Sequence, residues 1–215
     1  MNRTLSSITR SALASVLFIG LALGNVSVAP AASQAQTEKV VLAGGCFWGI
    51  EGVFESLRGV SNAVSGYSGG SKATANYETV STGTTGHAES VEVTYDPAQI
   101  SFDQLLKVFF LVAHDPTELN RQGPDEGTQY RSEIYYTTDS QKRAVQAYIK
   151  QLAAAKTFHA PIVTKVEPLV AFYPAEAYHQ HFMQKNPDYP YIVYNDAPKV
   201  AALRKTFPQL VKSQS

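Results

Sequence analysis

A single cysteine, Cys46, stands in the run Gly44-Gly45-Cys46-Phe47-Trp48-Gly49, and its type and setting offer the most direct chemistry in the chain. A thiolate is a strong nucleophile and metal ligand; the neutral thiol is neither. Lys39 to Leu42 is a short apolar run of β type that ends in Ala43-Gly44-Gly45, and Phe47 to Leu57 follows at helical spacing. Gly45 permits a sharp turn, so the pattern places Cys46 at or near the first turn of a helix. Unpaired amides and the helix dipole there favour negative charge, which lowers a thiol pKa. A free cysteine also serves as a small buried hydrophobe, but the glycine turn argues against a core position. Phe47 and Trp48 would suit an apolar cage for a methyl or thioether group, or would simply pack the helix onto a sheet; residue type leaves both open.

Other chemistries find less support. His179 and His181 lie two apart, so on a helix they diverge, and one cysteine with scattered histidines spells no zinc site; no metal is expected. The Gly44–Gly49 run has neither the Rossmann nor the P-loop spacing. Eighteen basic residues balance eighteen acidic ones, which leaves no global field to attract nucleic acid or an anionic membrane surface. Arg3 and Arg10 precede the apolar run Ser11 to Leu23, and small residues around Ala29-Pro30-Ala31 and Ala35 supply cleavage sites. Residues 1–35 are therefore expected to be a signal peptide cut near Ala31 to Ala35, leaving 36–215 as one domain in the periplasm or secreted. An uncleaved anchor is the alternative, although the strongly apolar part is shorter than the roughly 20 residues a spanning helix needs. With one cysteine, no intramolecular disulfide forms; a lone thiol in an exported chain is reactive or pairs between molecules.

The elements that must hold Cys46 follow from periodicity. Asn62 to Gly86 is rich in Gly, Ser, Thr, Tyr and Asn and reads mostly as loop, with a helical turn near Tyr77. His87 to Tyr95 alternates as a strand closed by Asp96-Pro97, and Phe102 to Ala113 forms a helix with a broad apolar face. A second loop spans His114 to Gln129, then a strand from Arg131 to Thr137, and a helix capped by Asp139 or Ser140 that runs to about Lys156. Val163 to Leu169 is a strand candidate and Ala175 to Lys185 a helix candidate. The tail is aromatic and proline-rich, with a last helix near Val200 to Thr206. The order predicts an α+β two-layer sandwich with a mixed sheet rather than a regular parallel one.

Further segments carry a specific resemblance. Gly44 to Gly49 with Glu51, Gly66-Tyr67-Ser68-Gly69-Gly70, Asn76-Tyr77, Gly86-His87-Ala88-Glu89 and Tyr95-Asp96-Pro97 are joined by Asp125, Gly127 to Ser132 and Ala175 to Gln180. In this order, across roughly residues 39 to 190, they resemble the A-type peptide methionine sulfoxide reductases. The resemblance implies a ferredoxin-like plait and reduction of the S epimer of methionine sulfoxide, free or in oxidised proteins. It casts Cys46 as the thiolate that attacks the sulfoxide sulfur, leaving a sulfenic acid as methionine departs. It casts Glu89 as the acid that protonates the oxygen, which requires a desolvated, apolar setting. Tyr77 and Tyr130 would hydrogen-bond the sulfoxide oxygen, Asp125 organise the pocket, and Phe47 with Trp48 hold the methyl group.

The chain departs from many relatives in lacking cysteines near the C-terminus, where it reads Asp188-Tyr189-Pro190-Tyr191-Ile192-Val193-Tyr194-Asn195-Asp196. With no bound cofactor expected, the sulfenic acid must be resolved by an external thiol: a thioredoxin-like or glutaredoxin-like protein, or a small thiol such as dithiothreitol. A monomer is expected, without nucleic acid or a stable membrane partner. Two other classes fit the residues less well: a cysteine hydrolase, which needs a histidine or lysine base, and a secreted peptide-binding module with an inert Cys46. The residues leave open whether Tyr189, Tyr191 and Tyr194 line a pocket or cover the core.

Overall fold

In the computed structural model, which describes residues 36–213, the first strand is β1 (Glu38–Gly44). Its side chains alternate: Val40 and Leu42 enter the main core, Val41 and Ala43 a smaller cluster on the opposite face. A strand covered on both faces needs apolar residues at successive positions, which is why this run is continuous. Chain order continues with α1 (Phe47–Glu55), β2 (Val60–Ser68), the single turn α2 (Tyr77–Val80), β3 (Ala88–Tyr95) and α3 (Phe102–Val108). A short hairpin, β4 (Arg121–Gln122) and β5 (Asp125–Glu126), precedes β6 (Ser132–Tyr136), α4 (Asp139–Ala154), β7 (Lys165–Pro168) and β8 (Phe172–Pro174). The short α5 (Phe182–Lys185) and α6 (Ala197–Thr206) follow. The expected signal peptide lies outside the described residues.

The six-stranded sheet has the order β7-β6-β1-β3-β2-β8, antiparallel throughout except for the parallel β6–β7 pair. Its centre, β6-β1-β3-β2, is built by β1-α1-β2-β3-α3-β6, the split βαβ arrangement of a ferredoxin-like plait. The α+β class with a mixed sheet is thus as the sequence indicated. The main core joins Val40, Leu42, Val91, Val93 and Ile134 of the sheet to Ile50, Val53, Phe54, Leu105, Leu106 and Val145 of the helices.

Several local expectations need correction. Asn62 to Ser68, expected as loop, belongs to a nine-residue strand (Val60–Ser68) paired on both sides, with a register shift between Val60 and Asn62. Small residues hide it, because β8 approaches closely: a Cβ at Gly66 would stand 2.4 Å from both the Phe172 ring and the Tyr173 carbonyl oxygen. Strand β8 itself carried no signal. The helix expected to continue to Ala113 changes to a π-helical turn at Phe109–Ala113, and α4 is capped by Thr138, whose hydroxyl accepts from Gln141 N–H, rather than by Asp139 or Ser140. Between Ala175 and Lys185 only Phe182–Lys185 is helical. The polar side chains before it serve β2 instead, Gln180 bonding both Ser65 N–H (3.0 Å) and Ser65 C=O (2.9 Å). Helix α6 starts three residues before the predicted Val200. Among the described residues, no helix is long and apolar enough to cross a membrane.

Gly66→Val should therefore destabilise the protein by about 1–3 kcal/mol through overpacking against β8. Urea unfolding checks this: the midpoint falls while the denaturant slope is unchanged.

Candidate active site

Cys46 is the N-cap residue of α1, directly before Phe47, with φ −54° and ψ 125° and no side-chain cap hydrogen bond. The turn before it depends on Gly45, whose φ is +96°; a Cβ there would stand 2.6 Å from the Gln122 side chain, so the turn has no room for one. Gln122 is in turn locked to the Asp115 backbone through two hydrogen bonds of 2.7 and 3.0 Å. The first free amide of α1, Phe47 N–H, donates to Glu89 Oε2 at 3.1 Å. Glu89 reaches it because it shares a strand face with Val91, Val93 and Tyr95, two residues beyond the last of these core positions.

Glu89 is 2% exposed, and its pKa is pushed up to about 8. Burial is the main cause; the Phe47 N–H opposes it, and the neighbouring Asp125 and Asp196 reinforce it. Glu89 is therefore a neutral carboxyl group at pH 7, able to donate a proton. The thiol departs from expectation. Cys46 is buried, and its pKa is raised well above the ordinary thiol value, first by burial, then by Glu89 and Asp196, against the smaller opposing effects of Trp48 N–H and Lys199. A helix start alone does not leave Cys46 ionised here, and the glycine turn does not keep it out of the core.

All seven residues expected at the site, Cys46, Glu89, Tyr77, Tyr130, Phe47, Trp48 and Asp125, line one pocket. Tyr189 and Tyr191 join them, which answers the open question about the tail, whereas Tyr194 is exposed. Tyr191 Oη donates a short hydrogen bond to Asp125 Oδ2. Trp48 is held on three sides: stacked on Phe182 at 3.8 Å and 9°, met edge-on by Tyr189 and Tyr191, and donating Nε1–H to His179 Nδ1 at 3.1 Å. Phe47 is 1% exposed and packs on His179 and Tyr67, so it serves the core as much as the pocket.

The two tyrosines opposite arrive on separately braced loops. Asn76 caps α2 by accepting from Thr79 N–H, and Tyr77 N–H donates to Glu176 Oε1 at 2.9 Å. Glu176 Oε2 also accepts from Tyr67 Oη at 2.8 Å. Tyr130 ends a 3-10 turn (Thr128–Tyr130) fixed by Arg131, which donates to Thr128 C=O (2.9 Å), His87 C=O (3.1 Å) and Gly86 C=O (3.0 Å) and pairs with Glu133 at 2.6 Å. Burial raises the phenol pKa of Tyr77 and Tyr130, so both stay protonated donors. His179 and His181, expected on a helix, both precede α5 and make separate contacts: His179 orients Trp48, while His181 contacts Glu55 and its backbone N–H donates to Glu51 Oε2 at 3.0 Å. Glu176, Arg131, His179, Tyr189 and Tyr191 were not marked as working residues by sequence; the Glu176 and Arg131 segments were visible only as matching motifs.

The pocket thus sets a buried thiol and a neutral carboxyl group among four phenols and an indole. Comparison with known proteins identifies the family. A sequence model of the family described as peptide methionine sulfoxide reductase matches residues 38–211. "Peptide methionine sulfoxide reductase MsrA 2" of Mesorhizobium japonicum is 62% identical over 174 residues, covering 81% of this chain and 89% of its own. Among solved structures, reduced Mxr1 from Saccharomyces cerevisiae superposes with a TM-score of 0.66 at 33% identity, covering 72% of this chain and 88% of that one. Methionine sulfoxide reductase A of Corynebacterium diphtheriae gives 0.62 at 39% identity, covering 72% and 77%. With a match across nearly all of the described residues and a pocket that gathers every residue the motifs pointed to, this chain belongs to the peptide methionine sulfoxide reductase family, A type, and is an oxidoreductase that reduces methionine sulfoxide.

Proposed function

We propose that the substrate is the S epimer of methionine sulfoxide, free or in oxidised proteins, and that Cys46 and Glu89 carry out the reduction. The single observation that carries the assignment of roles is the neutral, buried Glu89 hydrogen-bonded to the helix that starts at Cys46. The Cys46 sulfur attacks the sulfoxide sulfur and forms an S–S bond; this bond and the S–O bond then break as the protonated oxygen passes to the Cys46 sulfur and the electron pair returns to the methionine sulfur. Glu89 gives its proton to that oxygen, and the proton lost from the thiol replaces it, so methionine and a Cys46 sulfenic acid are the products. Tyr77 and Tyr130 donate hydrogen bonds to the developing negative charge on oxygen. Trp48, fixed by Phe182 and His179, presents an apolar face to the methyl group, with Phe47 behind it.

The single cysteine makes resolution intermolecular. An external thiol attacks the sulfenic sulfur, releasing water and forming a mixed disulfide, and a second thiol restores Cys46. A thioredoxin-like or glutaredoxin-like protein or a small thiol fills this role in the proposed cycle. Export of residues 36–215 to the periplasm or outside the cell, and action as a monomer, complete the proposal.

Turnover of the separated epimers with dithiothreitol tests the reading. The S epimer alone should be reduced, Cys46→Ser should be inactive, and Glu89→Gln should lose roughly 10²–10⁴ in kcat/KM, the usual contribution of a positioned acid. Because the working form of Glu89 is protonated, the wild-type rate should fall as pH rises through about 8. That limb should vanish in Glu89→Gln; a limb that persists would assign it to another group. Trp48 is the only tryptophan, so fluorescence reports on the cage. Phe182→Ala should increase acrylamide quenching of Trp48 and raise KM more than it lowers kcat; unchanged quenching would mean that the stacking does not hold the indole.

A further inference from the structure

We infer that the Asp196–Lys199 ion pair is a positioning device that sets how readily Cys46 ionises, resting on the proposed role of Cys46 as nucleophile. The geometry is particular. Asp196 is completely buried, its Oδ1 lies 3.1 Å from Lys199 Nζ, and its Oδ2 has no hydrogen-bond partner. Both groups press on the first turn of α1 at Gly49: a Cβ there would stand 2.1 Å from Asp196 Oδ1 and 2.8 Å from Lys199 Nζ. Gly49 is three residues after Cys46, so the pair is held against the first turn of α1, whose Trp48 N–H acts on the sulfur; burial raises the Asp196 pKa and Lys199 opposes that rise.

The pair comes from the tail, Asp196 ending the π-helical turn Ile192–Asp196 and Lys199 lying in the first turn of α6. Facing the thiol from other elements are Glu89 of β3, Asp125 of β5, Tyr77 of α2, Tyr130 and Tyr191, and Lys199 is the cation among the charges that act on Cys46. Asp196 therefore disfavours the thiolate and Lys199 favours it.

The test uses alkylation of Cys46 in the mature protein by iodoacetamide, a neutral reagent, at pH 8, where the rate follows the thiolate fraction. It needs no sulfoxide turnover, so its failure is separate from failure of the proposed reaction. A shift of half a pKa unit is about threefold in thiolate fraction. Asp196→Asn should alkylate about threefold or more faster, Lys199→Met slower by a smaller factor, and Lys199→Arg at nearly the wild-type rate. The Lys199 side chain is 18% exposed, so its variants decide the question even where Asp196→Asn folds poorly. A merely structural pair would move both variants in the same direction; that outcome, or rates unchanged in Lys199→Met, overturns the inference.

Discussion

The hydrogen bond from Phe47 N–H to Glu89 Oε2 is where the sheet and the first helix meet, and the site depends on it. Strand β1 delivers the chain to the Gly44-Gly45 turn, and the antiparallel pairing of β3 with β1 and β2 carries Glu89 on the face turned toward α1. The first amide of a helix has no partner within the helix, so a carboxyl oxygen placed there satisfies a donor that burial would otherwise leave orphaned. The same burial makes a charge on that carboxyl group costly. One contact therefore fixes the position of the acid, its protonation and its proximity to the helix that begins with the nucleophile.

Magnitudes explain why Cys46 is not a standing thiolate. A helix terminus favours a neighbouring charge by about 0.3–1 kcal/mol, and by about 2 kcal/mol in favourable partly buried settings. Taking an ion out of water costs several kcal/mol. With a sulfur that is almost wholly covered and two carboxyl groups nearby, burial wins. Reactivity in this pocket belongs to the assembled thiol, acid and phenols rather than to a permanently ionised sulfur.

The parts of the fold legible in the sequence are those where one strong physical preference acts. Val40 to Ala43 must be apolar because both faces of β1 are covered, and Cys46 follows two glycines because His114 at Gly44 and Gln122 at Gly45 fill the space a side chain would need. Strand β2 was illegible because its role is to let β8 come close, which demands Gly66 and small residues that read as loop. Segment Ala175 to His181 was illegible for the opposite reason: its helix-compatible residues commit Glu176 and Gln180 to bracing Tyr67, Tyr77 and Ser65. Seven of the nine residues that line the pocket lie in segments found through motifs in register. Tyr189, Tyr191, Asp196 and Lys199 carry no such motif; their placement follows from a π-helical turn that no periodicity announces.

The central claim is that Glu89 is a neutral acid at working pH because it is buried against the start of α1. Infrared difference titration of the protonated carboxyl C=O band, comparing wild type with Glu89→Gln, measures this directly. A band absent from the variant and lost in wild type as pH passes through about 8 is the predicted result. A Glu89 band that disappears near pH 4.5, the ordinary glutamate value, would contradict the account.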